Sequence, residues 1–504
     1  MRFSGSVART FLDVLRSLPG DVSGIVLPYA TLMLVVIVGG SLLAVDGARF
    51  MGLHTQLQKA ADAYALAAAA ELDRQPTAIE RANRAVNDLL TNGHVFGDGG
   101  DAPVQVASIR FLESLPSDDQ PLSARHETTD PARARFVEVT VVPVGLRTVF
   151  PAEFIGAAAG LVTTSATAVA GFDQVVCDFT PLFICNPFEV EGDPSAANRI
   201  YTAANDSRMR RRSIELRGTG GTNTQYFPGN FGFLEPPTGS GARDVREMIA
   251  KVRPEACFRQ SGVLLRTGQL ATVRDAINVR FDIYDGPFSP NSSNYRPAAN
   301  VRKGYETTGA NACRASRGDD TRFRALTRDL CFGSGGCSSS EFSPHMQNRI
   351  GDGRWDFDGY WSINFGSRPK PVGPDGSEYS NANPPPRYDV YRYEIGNGLI
   401  GVRSAGGESG APACYRGSSA PSDNPDRRIL QGAVLNCLAL NQDPRYGPLR
   451  GGSTARLPVA AFAKFFITEP VDRASESSIW VEFVDVVRPD SSGSVVRDIV
   501  QLHR

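Results

Sequence analysis

Eight cysteines are the residues whose type and number most directly suggest chemistry in this 504-residue chain. They are Cys177, Cys185, Cys257, Cys313, Cys331, Cys337, Cys414 and Cys437. An even number fits disulfides formed in an oxidising compartment. Zinc is the competing use, but zinc ribbons want paired C-x-x-C knuckles, and neither close pair here has that spacing. Proximity along the chain favours Cys177–Cys185, Cys331–Cys337 and Cys414–Cys437, leaving Cys257–Cys313, one of many pairings that eight cysteines allow.

Three other constellations offer chemistry. Asp352, Asp356 and Asp358 crowd a glycine-rich turn, "GDGRWDFDGYW". Such carboxylates are oxygen ligands for Ca²⁺, although the register and the distal Glu of an EF-hand loop are missing. The alternative is a solvated acidic turn whose Trp355, Phe357 and Trp361 reach back to a core. Arg208, Arg210, Arg211 and Arg212 form a basic run suited to phosphate or carboxylate, or equally to a solvated face. Gly396, Gly398 and Gly401 match G-x-G-x-x-G, but "VRSAGGESGAP" follows and does not read as a helix, so the pyrophosphate-binding helix N-terminus is lacking. The G-x-S-x-G, H-E-x-x-H and P-loop patterns are absent, and the five histidines (His54, His94, His126, His345, His503) are scattered. No catalytic residue, cofactor or small-molecule substrate is indicated.

Composition bounds what must position these groups. The 53 basic and 54 acidic residues leave a net charge of −1, which excludes a chain that blankets nucleic acid. With 41% hydrophobic residues the chain can bury a core, and 50 Gly with 34 Pro predict many turns. Residues 24–45, "GIVLPYATLMLVVIVGGSLLAV", carry no charge and are long enough for a bilayer core. A cleaved signal peptide would have a shorter apolar region. Arg2, Arg9 and Arg16 on one flank, against Arg49 and Lys59 on the other, place the 1–23 tail in the cytoplasm and the bulk of the chain outside.

Helical character continues past the span. Leu53, Leu57, Ala60, Ala61, Tyr64 and Ala68 fall on one stripe, so one helix, broken near Gly47 to Gly52, should reach about Asp73. A second helix is expected over "PTAIERANRAVNDLLTNG". "APVQVASIRFLES", "ARFVEVTVVPVGL" and "GLVTTSATAVAG" read as strands, giving a helix-plus-sheet unit over 46–171. Residues 172–504 read as a separate, loop-rich, mostly β domain. There "RYDVYRYEIGNGLIGVR" is expected to form a hairpin turning at Asn397-Gly398, and three apolar runs near the C-terminus are expected to be central strands. The fold class is α+β.

The segment from Asp21 to Leu72 resembles the N-terminus of TadG-like proteins of the TadE/TadG family, found in bacterial tight-adherence (Flp pilus) systems. The resemblance rests on Val45, Asp46 and Arg49 after the apolar span. It continues in Gln56, Leu57, Gln58, Ala60, Ala61, Asp62, Ala63, Ala65, Leu66 and Ala67. A D-x-S-x-S motif is absent, so the resemblance is to members without a von Willebrand factor A domain. A pilin-type cleavage site would need Glu five residues after Gly20 or Gly24, and Ile25 and Tyr29 stand there. The resemblance implies a non-enzymatic, single-pass inner-membrane protein. Its pilin-like helix-plus-sheet unit and its disulfide-bearing domain would lie in the periplasm. Its partners would be other pilus-assembly membrane proteins or pilin-like subunits. A membrane-tethered periplasmic hydrolase and a Ca²⁺-dependent adhesion module are the alternatives.

Overall fold

The computed structural model describes residues 26–503 except 151–160, 306–312, 314–323 and shorter internal stretches. The expected cytoplasmic tail, with Gly20 and Gly24, lies outside the described residues. The chain divides into unit 1, Met1–Phe172 with Val500–Arg504, and unit 2, Asp173–Ile499.

Unit 1 is organised by α1 (Val26–Ala70), a single 45-residue helix. The expected break near Gly47 to Gly52 does not occur. Pro28 sits in the first turn, where its missing N–H costs nothing, no other proline follows before Pro76, and each interior glycine costs only about 1 kcal/mol. The first half of α1 exposes its apolar side chains, Val26 through Val45, and is the one described helix long and apolar enough to cross a membrane. The second half buries the expected stripe: Leu53, Leu57, Ala60, Ala61, Tyr64 and Ala68. A second helix, α2 (Ala78–Arg84), ends in one π-helical turn at Leu89, and Gly93–His94 begins a short strand rather than closing the helix. The longer strands that begin in unit 1 are β1 (Val106–Leu112), β2 (Phe136–Val141), β3 (Val144–Arg147), β4 (Leu161–Thr164) and β5 (Thr167–Cys177), the last continuing past Phe172. β2 lies between β1 and β5, antiparallel to both, and β3–β4 is a separate hairpin. Val137, Val139 and Val141 of β2 meet the α1 stripe in one core. Tyr64 lies in that core and donates its hydroxyl to the Val104 carbonyl at 3.0 Å, so its polar end is satisfied.

Unit 2 is built on a closed six-stranded barrel. Its strands are β6 (Leu182–Cys185), β7 (Ser213–Gly218), β8 (Asn230–Phe233), β9 (Ile429–Leu435), β10 (Ala461–Ile467) and β11 (Ser478–Val486). The order around the barrel is β8–β6–β9–β10–β11–β7, with β6–β9 and β7–β8 parallel and the other pairs antiparallel. The three C-terminal apolar runs are thus β9, β10 and β11, adjacent in the barrel. One alternate set of residues, contributed by all six strands, meets inside: Leu182, Ile214, Phe231, Leu430, Ala463 and Val481 belong to it. The other set is also covered, by outer layers that include Phe183 and Phe462 in one cluster and Ile429 and Phe466 in another. Burial on both faces is why these strands read as continuous apolar runs rather than alternating ones. Helices on this frame include α3 (Ala242–Ala250), α4 (Val273–Asn278), α5 (Phe357–Phe365), α6 (Arg387–Gly396) and α7 (Cys437–Gln442).

Two expectations are corrected here. The run Arg387–Gly396 is helix α6, not a hairpin strand. Tyr388, Tyr391 and Glu394 recur every three residues on its buried face, and Gly398, at φ +64°, gives the left-handed turn that ends it. The same Asn-Gly signal serves a hairpin or a helix stop; the three-residue spacing of the buried residues distinguishes them. Disulfides join Cys177–Cys257, Cys185–Cys437, Cys313–Cys414 and Cys331–Cys337, so three of the four proximity pairings fail. Strand pairing explains two of them. Cys185 is in register with Leu435 on β9, two residues from Cys437. Val176 is in register with Phe258, which sets Cys177 beside Cys257.

Candidate functional site

Asp46 is the first charged residue after the apolar half of α1. Its carboxylate is buried and accepts two backbone donors from the segment following β3. The Val149 N–H lies 2.9 and 2.8 Å from its two oxygens and the Phe150 N–H 2.6 Å from Oδ2. Arg49, one turn along the helix, stands 3.4 Å from Oδ1 and donates to the Arg147 carbonyl at 3.3 Å. Burial alone would raise the Asp46 carboxyl. The two backbone donors and the Arg49 guanidinium outweigh it and hold the group below the usual aspartate value. The Val-Asp-x-x-Arg string is therefore a clamp: a helical i, i+3 pair fixing the end of the β3–β4 hairpin to the helix where its apolar half ends.

The acidic turn is placed differently from a cation site. Asp352 accepts the Arg354 N–H at 3.0 Å. Asp356 caps α5 through the Gly359 N–H at 3.0 Å, accepts Asn381 Nδ2 at 2.9 Å and pairs with Arg324. Asp358 pairs with Lys370 at 2.5 Å and accepts the Asn381 N–H at 2.9 Å. These oxygens meet donors rather than one another. Among the described residues no group of three or more His, Cys, Asp or Glu is disposed to hold a metal. Trp355, Phe357 and Trp361 are buried in the layer over β9 and β10.

The basic run is likewise divided. Arg208 turns back to Asp206 at 3.4 Å, Arg211 donates to Asn383 Oδ1 at 2.9 Å, and Arg212 donates to the Gly351 carbonyl at 3.0 Å while lying over the Phe342 ring. Gly396, Gly398 and Gly401 lie at the C-terminus of α6, where carbonyls rather than N–H groups face outward. The histidines fall on separate elements. His54 meets Thr164 Oγ1 at 3.1 Å, His126 meets Ser123 Oγ at 3.2 Å, and His94 is buried. His345 stacks on Phe227, and His503 meets Phe136 edge-on.

Sequence reasoning missed a buried ionic network in unit 2. Arg387, fully buried at the start of α6, pairs with Asp329 at 2.6 Å and with Glu482 of β11 at 3.2 Å. Glu482 also accepts the Arg387 and Tyr388 N–H groups at 2.9 and 3.0 Å, satisfying the first turn of α6. A second cluster joins Arg302, Glu394, Tyr360 and Asn300. Glu189 closes a third contact, accepting Leu438 and Ala439 N–H groups at 2.9 Å at the start of α7. Burial pushes its carboxyl up to about 7 despite those donors. A charge inside an apolar run, as in "SSIWVEFVDVVR", was the available signal, since a buried Glu needs a partner. A cavity of about 380 Å³ in unit 2 is lined by Lys251, Val252, Arg253, Ser293, Asn294, Arg296 and Ser419, without a carboxylate or an imidazole.

Residues 24–71 match the family model described as "Putative Flp pilus-assembly TadE/G-like". That match covers all of α1, including the clamp residues Asp46 and Arg49. No curated protein and no solved structure matches the chain.

Proposed function

We propose that this chain is a single-pass inner-membrane component of a bacterial Flp/Tad pilus assembly system. Its N-terminus faces the cytoplasm, and everything after Asp46 stands in the periplasm. The observation that carries the reading is the coincidence of the TadE/G-like match at 24–71 with one continuous helix, apolar and exposed in its first half and buried in its second. Four disulfides support an oxidising compartment for unit 2. The action proposed is mechanical: α1 anchors, unit 1 rises from the membrane, and the surface of unit 2 docks on pilus-assembly membrane proteins or pilin-like subunits. No catalytic step is proposed, and the family description is of assembly rather than catalysis.

Two measurements test this. Deleting the gene should abolish surface pili; unchanged piliation refutes the assignment. Intact mass in membranes and in sheared pili then separates two forms of it. Full-length protein confined to membranes means a permanent assembly factor, whereas a species beginning just after Gly20 or Gly24 in the pilus fraction means a processed subunit.

A further inference from the structure

The cavity of about 380 Å³ in unit 2 gathers cations and no acid. Lys251 and Arg253 reach it just after the C-terminus of α3, and Arg296 reaches it just after a single helical turn at Ser293–Tyr295. The Val252 N–H donates to the Asn294 carbonyl at 3.1 Å and ties these two walls together. A helix C-terminus ordinarily presents unpaired carbonyls, whose partial negative charge repels an anion. Here those carbonyls are occupied by guanidinium groups. Arg427 donates to the Ala250 carbonyl at 2.7 Å, the Lys251 carbonyl at 3.1 Å and the Arg296 carbonyl at 2.7 Å. Arg280 donates to the Ile249 carbonyl at 2.7 Å. Both arginines are buried, and every acceptor described for them is a main-chain carbonyl. Burial pushes both below the usual arginine value, yet a guanidinium stays charged at neutral pH. The negative end of α3 is thereby reversed in sign.

The cations at the cavity itself are short of acceptors. Arg296 Nη1 reaches the Ala420 carbonyl at 3.4 Å, but its Nε is buried without a partner. Such an orphaned donor costs stability unless a ligand or water supplies the acceptor. Among the described residues neither Arg296 nor Arg253 pairs with a carboxylate. Glu247, on the last turn of α3, is paired with Arg243 at 3.0 Å. Three cations at the cavity and two behind its wall suit a phosphate monoester, which carries about −1.5 to −2 at neutral pH, better than a singly charged carboxylate. The volume exceeds the needs of a bare ion and falls in the range of small-molecule sites. Ser293, Asn294 and Ser419 supply the hydrogen-bonding groups that sugar hydroxyls require.

We propose that this cavity binds a phosphate monoester of about monosaccharide size, its oxyanion held by Arg253 and Arg296 and its hydroxyls by Ser293, Asn294 and Ser419. The site is independent of the pilus assignment, because it rests on unit 2 alone.

The test is equilibrium dialysis of radiolabelled glucose 6-phosphate against the full-length chain in a non-ionic detergent at low salt. Saturable binding is expected, undiminished by glucose and displaced by inorganic phosphate only at about tenfold higher concentration. Arg253→Gln and Arg296→Gln should each weaken binding about tenfold or more, since each removes a charge-assisted contact. Arg243→Gln, on α3 but not lining the cavity, should leave it unchanged. Absence of saturable binding overturns the proposal, and so does unchanged affinity in Arg253→Gln. Inorganic phosphate binding as tightly as the ester means a bare-ion site and overturns the assignment of the ester. Tighter binding of sn-glycerol 3-phosphate means a lipid headgroup site and overturns the sugar-sized ligand. Where Arg296→Gln does not accumulate, Arg253→Gln decides the matter, because Arg253 is exposed and supports no other residue.

Discussion

Replacing Asp46 with alanine should release the β3–β4 hairpin from α1 while leaving the helix itself intact. The carboxylate satisfies two N–H groups, those of Val149 and Phe150, at 2.6–2.9 Å. A buried donor left without a partner costs about 1–3 kcal/mol, and Val149 is half exposed so its N–H can turn to water; Asp46→Ala should therefore destabilise the contact by about 1–3 kcal/mol. Asp46→Asn keeps one acceptor oxygen and should fall near the lower end of that range. Hydrogen exchange reads this directly, since about 2 kcal/mol is roughly a 30-fold change in an equilibrium constant. Peptides covering residues 146–150 of the full-length chain in nanodiscs should therefore lose about 30-fold in protection on Asp46→Ala, and peptides from the Leu53–Ala68 stripe should lose little. The pH dependence has a definite sign. The native Asp46 carboxyl is held below its unfolded value, so its contribution is present above the usual aspartate range and is lost as pH falls through the native value. Unchanged protection at Val149 and Phe150 in Asp46→Ala would refute the clamp.

Unit 2 supplies three further expectations. A Glu189 value of about 7 in the native state, against 4.5 for the free group, corresponds to about 3 kcal/mol of stability present below pH 4.5 and lost as pH rises through 7. The urea midpoint of the parent should drop between those pH values more than that of Glu189→Gln, and equal drops would exclude Glu189 as the cause. Removing the Cys185–Cys437 bridge, which spans 252 residues, should cost about 5 kcal/mol on a loop-entropy basis, measured as the loss of thermal stability in a Cys185→Ser/Cys437→Ser double variant. Arg387→Met leaves Asp329 and Glu482 buried without their cation and should cost about 3–5 kcal/mol in chemical denaturation, part of which Glu482→Gln in the same chain should restore.

What was legible in the sequence follows from where burial is one-sided or local. The α1 stripe was readable residue by residue because an amphipathic helix repeats its buried face every three to four positions. The strands β9, β10 and β11 were readable as apolar runs, but the barrel was not. Its closure depends on β6, β7 and β8, segments of four to six residues drawn from loop-rich sequence hundreds of positions away from β9. The same distance hid the disulfides: Cys185 and Cys437 are neighbours only because β6 and β9 run parallel side by side. Helix α6 reads as a hairpin strand because three tyrosines and a valine precede an Asn-Gly turn signal, whereas its first N–H groups are satisfied by Glu482 from β11, a partner no local pattern contains. At the end of the apolar half of α1 the residues Asp46 and Arg49 stand out through the family resemblance, but the donors they meet lie about a hundred residues on, in a segment with no signature of its own.

The clamp also bears on how stiff α1 is where its apolar half meets its buried half. Gly47 and Gly52 lie between the apolar half of α1 and its buried stripe, where a flexible joint would let the two halves move independently. Neither acts as a joint. The helix is continuous through both, and Leu53 is already buried, so only six residues separate the clamp from the core. Those six are braced at both ends: Asp46 is tied to Val149 and Phe150, and the Phe96 ring lies so close to Gly52 that a Cβ there would sit 3.0 Å from it. At about 1.5 Å per residue the unbraced length is only about 9 Å, less than two turns. A helix that short between fixed points does not bend appreciably without a proline or an inserted water, and neither glycine supplies one. Movement of the buried half of α1 is therefore passed to its apolar half and to the segment after β3 together. Neither the composition of the helix nor its length would confer this stiffness without the distant segment that Asp46 holds.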